Sequence, residues 1–352
     1  MTKILFPFIY HPDRSLAVYG ESRKFLHRSG REPDISQLGW TYLDVGDLIP
    51  QTMKSFWSGH FFPWLESWEE IQVSCNLCLF GLYKQAMVSL RGGLELGLLS
   101  VYWNLNDDGH ETVQQWLRSN EDTPRLHEIW SRLVKHDNFK AFGQHYDLQS
   151  HLLSFNFLHD YAHTKGFKFS NRLGMLKSNW QTFEERGFNT WFRSFKEVIK
   201  VLVVCHLVKY PLGTVRFDYD AKFGIDTPAF GGLKEHQVDR LERLLGPSVF
   251  AQIAALVRDD PRAQKVLRWV EALPDMSEDK VEQQIIDMDK RHIEMWGLPK
   301  WLEAKHKMIE HRDKTEKWER RVTALTAWAK EQGYDRPGWE REGGPNRGVS
   351  DD

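Results

Sequence analysis

Residues 67–104 read SWEEIQVSCNLCLFGLYKQAMVSLRGGLELGLLSVYWN, and the fold turns on how this stretch is read. Ser67 and Glu70 have the spacing of a capping box, in which a hydroxyl and a carboxylate satisfy backbone amides at a helix start. Apolar residues then recur at Ile71, Leu77, Phe80, Met87, Leu90, Leu94, Leu98 and Val101, mostly three or four apart. That period predicts a helix, or a broken pair of helices, running to about Asn104. Gly81, Gly92, Gly93 and Gly97 lie inside it, each unfavourable in a helix by about 1 kcal/mol. They make sense where another backbone approaches closely, as at helix crossings in a bundle.

Outward from this stretch the helical pattern continues. Helices are predicted over 111–119, 124–136 and 146–164, and from about Thr190 to Tyr210, stopping before Pro211. The β-branched run Val198–Cys205 could belong to a buried strand, but its length and the periodic Trp191, Phe195, Val198 and Leu202 favour a buried helix. Residues 1–62, punctuated by Pro12, Gly20, Gly30, Pro33 and Pro50, read as loops and short helices around a core bundle at 63–212. Residues 213–232 lose the helical period and read as a connector with a small hairpin. From 233 to 333 the chain is helical again, segmented by Gly246-Pro247, Asp260-Pro261, Pro274–Ser277 and Gly297-Leu298-Pro299, each pairing a stop with a start. The tail, 334–352, is too poor in apolar residues to order itself. The expected architecture is all-α: a multi-helix bundle with a C-terminal helical extension.

Lys and Arg number 47 against 49 Asp and Glu, so bulk charge does not hold the chain on nucleic acid or membrane, while a local basic patch stays open. No apolar stretch reaches the roughly 18 residues of a membrane span, and the start of the chain lacks a signal-peptide pattern. Three cysteines, an odd and sparse set, fit a reducing, cytoplasmic setting. Cys75 and Cys78 form a CxxC inside an apolar helical run, with no second CxxC to complete a zinc site, and read as core residues. No P-loop, GxGxxG or GxSxG is present, which leaves nucleotide-dependent and serine-hydrolase chemistry without support. The 15 tryptophans, such as the pairs Trp64 with Trp68 and Trp296 with Trp301, read as helix anchors before base-stacking platforms.

Two segments carry candidate chemistry. In Leu90-Arg91-Gly92-Gly93-Leu94-Glu95 the two charges are four residues apart and share a helix face. Surrounded by apolar neighbours, they are either a structural ion pair locking two helices or an anion site. In the segment His151 to Gly166, His151, His159 and His163 fall near one face of the predicted helix, with Asp160 beside them. His159 and His163 at i and i+4 could share a metal as in HExxH helices, with Asp160 in the place of the catalytic Glu. His159-Asp160 is also similar to the pair of the all-helical, metal-dependent HD phosphohydrolases, for which His127 or His136 and Asp218 would have to supply the distant ligands. A third scheme needs no metal or cofactor. Arg91 grips a phosphate bidentately, and a histidine on a neighbouring helix moves a proton to or from an RNA 2′-hydroxyl or leaving oxygen.

The helix bearing Leu90-Arg91-x-x-x-Glu95 and the later one ending Leu158-x-Asp160-x-x-His163 together resemble a HEPN-like helical family. They resemble most its poorly characterised bacterial branch with LRxxxE and LSDxxH-type helices, over about residues 67–210. Tyr83 and Tyr146 stand where aromatics would pack such a bundle. The resemblance implies a four- or five-helix bundle, often a homodimer, acting on or sensing RNA in toxin–antitoxin or phage-defence systems. It implies Arg91 on the phosphate, His163 as acid or base, and Glu95, Asp160 and His159 as its orienting groups, with RNA and a protein partner or antitoxin as ligands. HEPN ribonucleases typically carry Arg and His on one helix, with four to six residues between them. Here the nearest such pairs, Arg23 with His27 and Arg132 with His136, have three residues between, so an Arg91–His163 pairing must cross helices. The rival expectations are a non-catalytic interaction or scaffold protein whose polar cluster is fully buried, and a metal-dependent hydrolase using the His151/His159/His163 stripe.

Overall fold

A computed structural model describes residues 12–49, 61–105, 110–179, 182–226, 230–309 and 316–335. Among these the secondary structure is helical, with two isolated bridges and no sheet, as the sequence pattern predicts. The helices are α1 (Pro12–Arg28), α2 (Glu32–Gly46), α3 (Phe62–Leu79), α4 (Tyr83–Trp103), α5 (His110–Leu117), α6 (Leu126–Leu133), α7 (Asp137–Gly143), α8 (Leu148–Leu153), α9 (Asn156–Ala162) and α10 (Glu185–Lys209). After them come α11 (Tyr219–Phe223), α12 (Glu235–Leu245), α13 (Pro247–Ala255), α14 (Pro261–Ala272), α15 (Glu278–Trp296), α16 (Leu298–Ile309) and α17 (Glu316–Glu331). None of them is long and apolar enough to cross a membrane.

The chain groups into two compact units. Described residues up to Phe217, with 230–269, form the first; residues 218–226 and those from Val270 onward form the second. The division therefore does not follow the 212 and 233 boundaries, because α12 and α13 and most of α14 belong with the bundle. The N-terminal region is also more regular than a set of loops: α1 and α2 are full helices of 17 and 15 residues, separated at Gly30 (φ +65°). The segment after α10 contains a 3-10 turn at Pro211–Thr214 and the short α11, with no hairpin among the described residues. The tail beyond 335 lies outside the described residues.

At the centre of the first unit, α3 and α4 pack antiparallel along their length, with α10 across them. The long stretch is indeed a broken pair. The chain turns at Gly81, whose φ of +78° suits glycine, and a Cβ there would overlap the Asn179 carbonyl. Ser67 does not cap a helix. α3 begins five residues earlier, with Phe61 at its N-cap and Pro63 in its first turn, and Ser67 is buried mid-helix. Its Oγ donates to the Gly93 carbonyl at 2.6 Å and shares a hydrogen bond with Tyr42 Oη at 2.7 Å. Ser74 likewise donates to the Ala86 carbonyl at 2.7 Å and accepts from Trp191 Nε1 at 2.9 Å. Small hydroxyl residues let the helix pair approach while leaving no buried polar atom unanswered at these points.

Gly97 marks a close helix crossing. An added Cβ would sit 2.7 Å from a Leu202 methyl and 2.8 Å from the Tyr42 hydroxyl, which Ser67 holds in place. Overpacking costs about 1–3 kcal/mol, offset by about 1 from alanine's better helix propensity. Gly97→Ala should therefore lower unfolding stability by a net of up to about 2 kcal/mol in urea titrations; a stabilised variant would show that the crossing has slack.

The second unit has its own small core of Ile293, Leu298, Trp301, Leu325 and Ala329. α15, α16 and α17 also meet at a buried carboxylate, Asp289. The segmentation signals operate as predicted: Gly246 and Gly297 end helices at φ +79° and +86°, and Ser277 caps α15 through the Lys280 amide.

Candidate active site

α4 places Arg91 and Glu95 one turn apart on one face, while Gly92 and Gly93 let α3 pack closely through Glu70 and Ile71 and Leu90 and Leu94 fill the core. Arg91 Nε and Nη2 both donate to Glu95 Oε1, at 3.0 and 2.8 Å. Their side chains are 26% and 35% exposed, so this is not the fully buried pair that a purely structural network requires. They line one side of a cleft of about 930 Å³. The 123–125 loop and α6 bring Arg125, His127 and Trp130 to it, and α8 and α9 bring Gln149, Asn156 and His159.

Local chemistry explains how each wall is set. In α6, Ile129 and Leu133 point into the core, which leaves His127 and Trp130 on the other side. The Glu128 carboxylate accepts the Arg125 amide at 2.7 Å and fixes the start of that helix. The predicted 146–164 helix is two short ones. Asp147 accepts the Ser150 amide at 3.0 Å to start α8, and Ser154 Oγ donates to the His151 carbonyl at 2.6 Å as α8 ends. Phe155 then turns into the core and restarts the chain as α9. Leu158 and Tyr161 anchor α9 inward, so His159 faces out into the cleft.

This break dissolves the histidine stripe. His151 stacks on Tyr146 instead, with ring centroids 4.9 Å apart and planes 12° apart. His163 is exposed at the C-terminal end of α9, its ring 4.1 Å from that of His159, and does not line the cleft. Asp160 is half-buried and pairs with Lys165 at 3.3 Å. No group of three or more His, Cys, Asp or Glu among the described residues is arranged to hold a metal ion. His136 caps α7, with its Nδ1 accepting the Asn138 amide at 3.3 Å, and Asp218 caps α11 through the Ala221 amide at 2.9 Å. Among the described residues the HExxH-like and HD-like arrangements therefore find no ligand set.

The structure thus brings Arg91, Glu95 and His159 to one cavity, sets His163 against the far side of His159, and turns Asp160 to a lysine. Sequence reasoning missed Arg125, Trp130 and Asn156, and weighed His127 only as a metal ligand. The one available signal was the alternation in 126–133 between the Ile129/Leu133 side and the His127/Trp130 side. Cys75, Cys78 and Cys205 play no part in the cleft. Burial pushes Cys75 up to about 11 and Cys205 to about 12, with Cys78 also well above the ordinary thiol range, so they stay neutral core residues.

Compared with protein-family models, with curated proteins and with solved structures, the chain finds no match.

Proposed function

We propose that the chain acts on RNA as a HEPN-like, metal-independent endoribonuclease or RNA sensor. The supporting observation is the water-accessible cleft that joins the Arg91–Glu95 pair to His127 and His159. Arg91, oriented by Glu95, and the exposed Arg125 offer two guanidinium groups to a phosphodiester and stabilise the charge that builds on its oxygens. One imidazole takes the proton of the 2′-hydroxyl as O2′ bonds to phosphorus. The other gives a proton to O5′ as the P–O5′ bond breaks, leaving a 2′,3′-cyclic phosphate and a 5′-hydroxyl. Trp130 supplies a flat face for a neighbouring base. His159 replaces His163 as the leading acid or base, and His163 becomes the neighbour that sets the His159 ring. A phage-defence or stress role, a homodimer and a protein partner or antitoxin belong to the same proposal and rest on the family resemblance alone.

The test is cleavage of mixed cellular RNA by the purified protein, with and without EDTA, beside Arg91→Ala, His159→Ala and His163→Ala. The expected result is chelator-resistant cleavage, reduced by about 100-fold or more in Arg91→Ala and His159→Ala, less in His163→Ala, with thermal midpoints kept. Absence of cleavage by the wild type overturns the catalytic reading and leaves a scaffold or sensor. Loss with EDTA overturns the metal-independent one.

A further inference from the structure

A second polar groove runs along the N-terminal half of α10, in the same unit as the cleft. Arg186, Asn189, Arg193 and Lys196 recur at helical spacing on its solvent side, while Phe188, Trp191 and Phe195 are buried on the other. One part of the groove is a cavity of about 580 Å³ lined by Arg31, Glu185, Arg186, Asn189 and Arg193. The next, of about 270 Å³, lies between α2, α10 and α12 and is lined by Lys196, Arg240 and Arg243 together with Asp34. Phe192 lines both.

The charges here are not balanced. Glu185 is engaged by Arg28 at 3.6 Å, and Arg240 is held by the buried Asp44 at 2.7 Å. What remains lining the two cavities is Arg31, Arg186, Arg193, Lys196 and Arg243 against Asp34, and among the described residues no ion pair within 4 Å joins any of those five cations to a carboxylate. Arg31 is the most informative. Its guanidinium lies over the Phe25 ring at 5.2 Å and the Phe192 ring at 5.3 Å, and it donates to Asn189 Oδ1. A cation positioned by two aromatic faces and an amide, with no carboxylate to neutralise it, is preorganised for an anion.

We propose that this groove is a binding track for the sugar-phosphate backbone of single-stranded nucleic acid. Cations spaced along one helix match a polymer of phosphates better than a single phosphate ion. A concave lining in which the Arg31 guanidinium covers the Phe192 ring suits a strand that can lie in it and stack a base on that guanidinium plane, better than a flat lipid surface. The inference deepens the RNA reading above and rests on it for the identity of the polymer.

The test uses the full chain and a labelled 20-nucleotide 2′-O-methyl RNA, which lacks the attacking hydroxyl and so reads binding independently of cleavage. Fluorescence anisotropy is followed from low to moderate salt for the wild type, for R186Q/R193Q/K196Q, and for the charge-keeping R186K/R193K. The expected result is binding weakened at least 10-fold in the triple variant. The log–log salt slope should be shallower by about 2, since each lost phosphate contact removes about 0.7. The lysine variant should keep most of the affinity. These residues are solvent-facing, so unchanged thermal midpoints should accompany the loss. No binding by the wild type overturns the proposal, as does equal binding by the triple variant, or a preference for phosphatidylserine vesicles over the oligonucleotide. Cleavage that persists with the groove inert would sink the groove alone, and binding without cleavage would sink the catalytic reading alone.

Discussion

Asp289→Ala is expected to cost the second unit about 3–5 kcal/mol, the usual penalty for removing one partner of a buried ion pair. Asp289 is fully buried on α15. Its Oδ1 accepts from Lys305 Nζ at 2.6 Å and from Trp301 Nε1 at 3.1 Å, both on α16, and Arg321 Nε of α17 lies 3.9 Å from Oδ2. One carboxylate thus answers groups on both neighbouring helices. Truncation strands Lys305 and the indole N–H where water reaches poorly, while Arg321 keeps Glu282 at 2.8 Å. A unit with so small an apolar core has little else to hold it. In guanidinium titrations the variant should show an early transition for the second unit and an unshifted later one for the first. Asp289→Asn, which keeps an acceptor for Trp301 but not the charge, should fall between. Transitions coincident with the wild type would mean that desolvation of the cluster cancels its attraction.

The second large effect is on the acid side of the first unit. His206 of α10 is fully buried, with Nδ1–H donating to the Leu202 carbonyl at 2.8 Å and Nε2 without a hydrogen-bond partner among the described residues. Burial pushes it down to about 4, because a charged ring there would lack water. Below about pH 6.5 the unfolded chain takes up a proton that the folded chain refuses. The stability is therefore fully present above 6.5 and is lost as pH falls from 6.5 to 4. The loss over that window is about 3 kcal/mol, at 1.36 kcal/mol per unit. His136 is also pushed down, first by burial and then by Lys209, and adds in the same direction. Urea stability measured from pH 7.5 to 4.5 should fall more steeply in the wild type than in His206→Leu, since carboxylate titrations are common to both. Parallel curves would show that His206 charges in the folded state.

Much of the fold was legible because it is written in glycine, proline and apolar period. The breaks at Gly246, Pro261, Ser277 and Gly297 and the buried helix through Val198–Cys205 follow from local backbone preference and hydrophobic spacing. The division of 146–164 was not legible, since no glycine or proline marks it. Ser154 ends one helix by bonding back to the His151 carbonyl, and Phe155 turns the chain into the core, which is a tertiary cause. The regular helices α1 and α2 were hidden by prolines that in fact sit in first turns, Pro12 and Pro33. Arg91 and Glu95 could be chosen from spacing alone. His127 and Trp130 could not, because only packing brings α6 against α4.

The cleft is bounded unequally. One side is α4, 21 residues long and braced by α3 and the 25-residue α10. Among the opposing elements, α6, α8 and α9 have eight, six and seven residues. Helices shorter than about 12 residues do not persist on their own strength, so these lean on two buried anchors each: Ile129 and Leu133, Leu148 and Leu152, Leu158 and Tyr161. Amide hydrogens of 126–162 should therefore exchange through local openings, while those of α4 wait for global unfolding. The width of the cleft beside Arg91 then varies as the thin wall breathes, and a strand seated against it would register first as slowed exchange in those short helices.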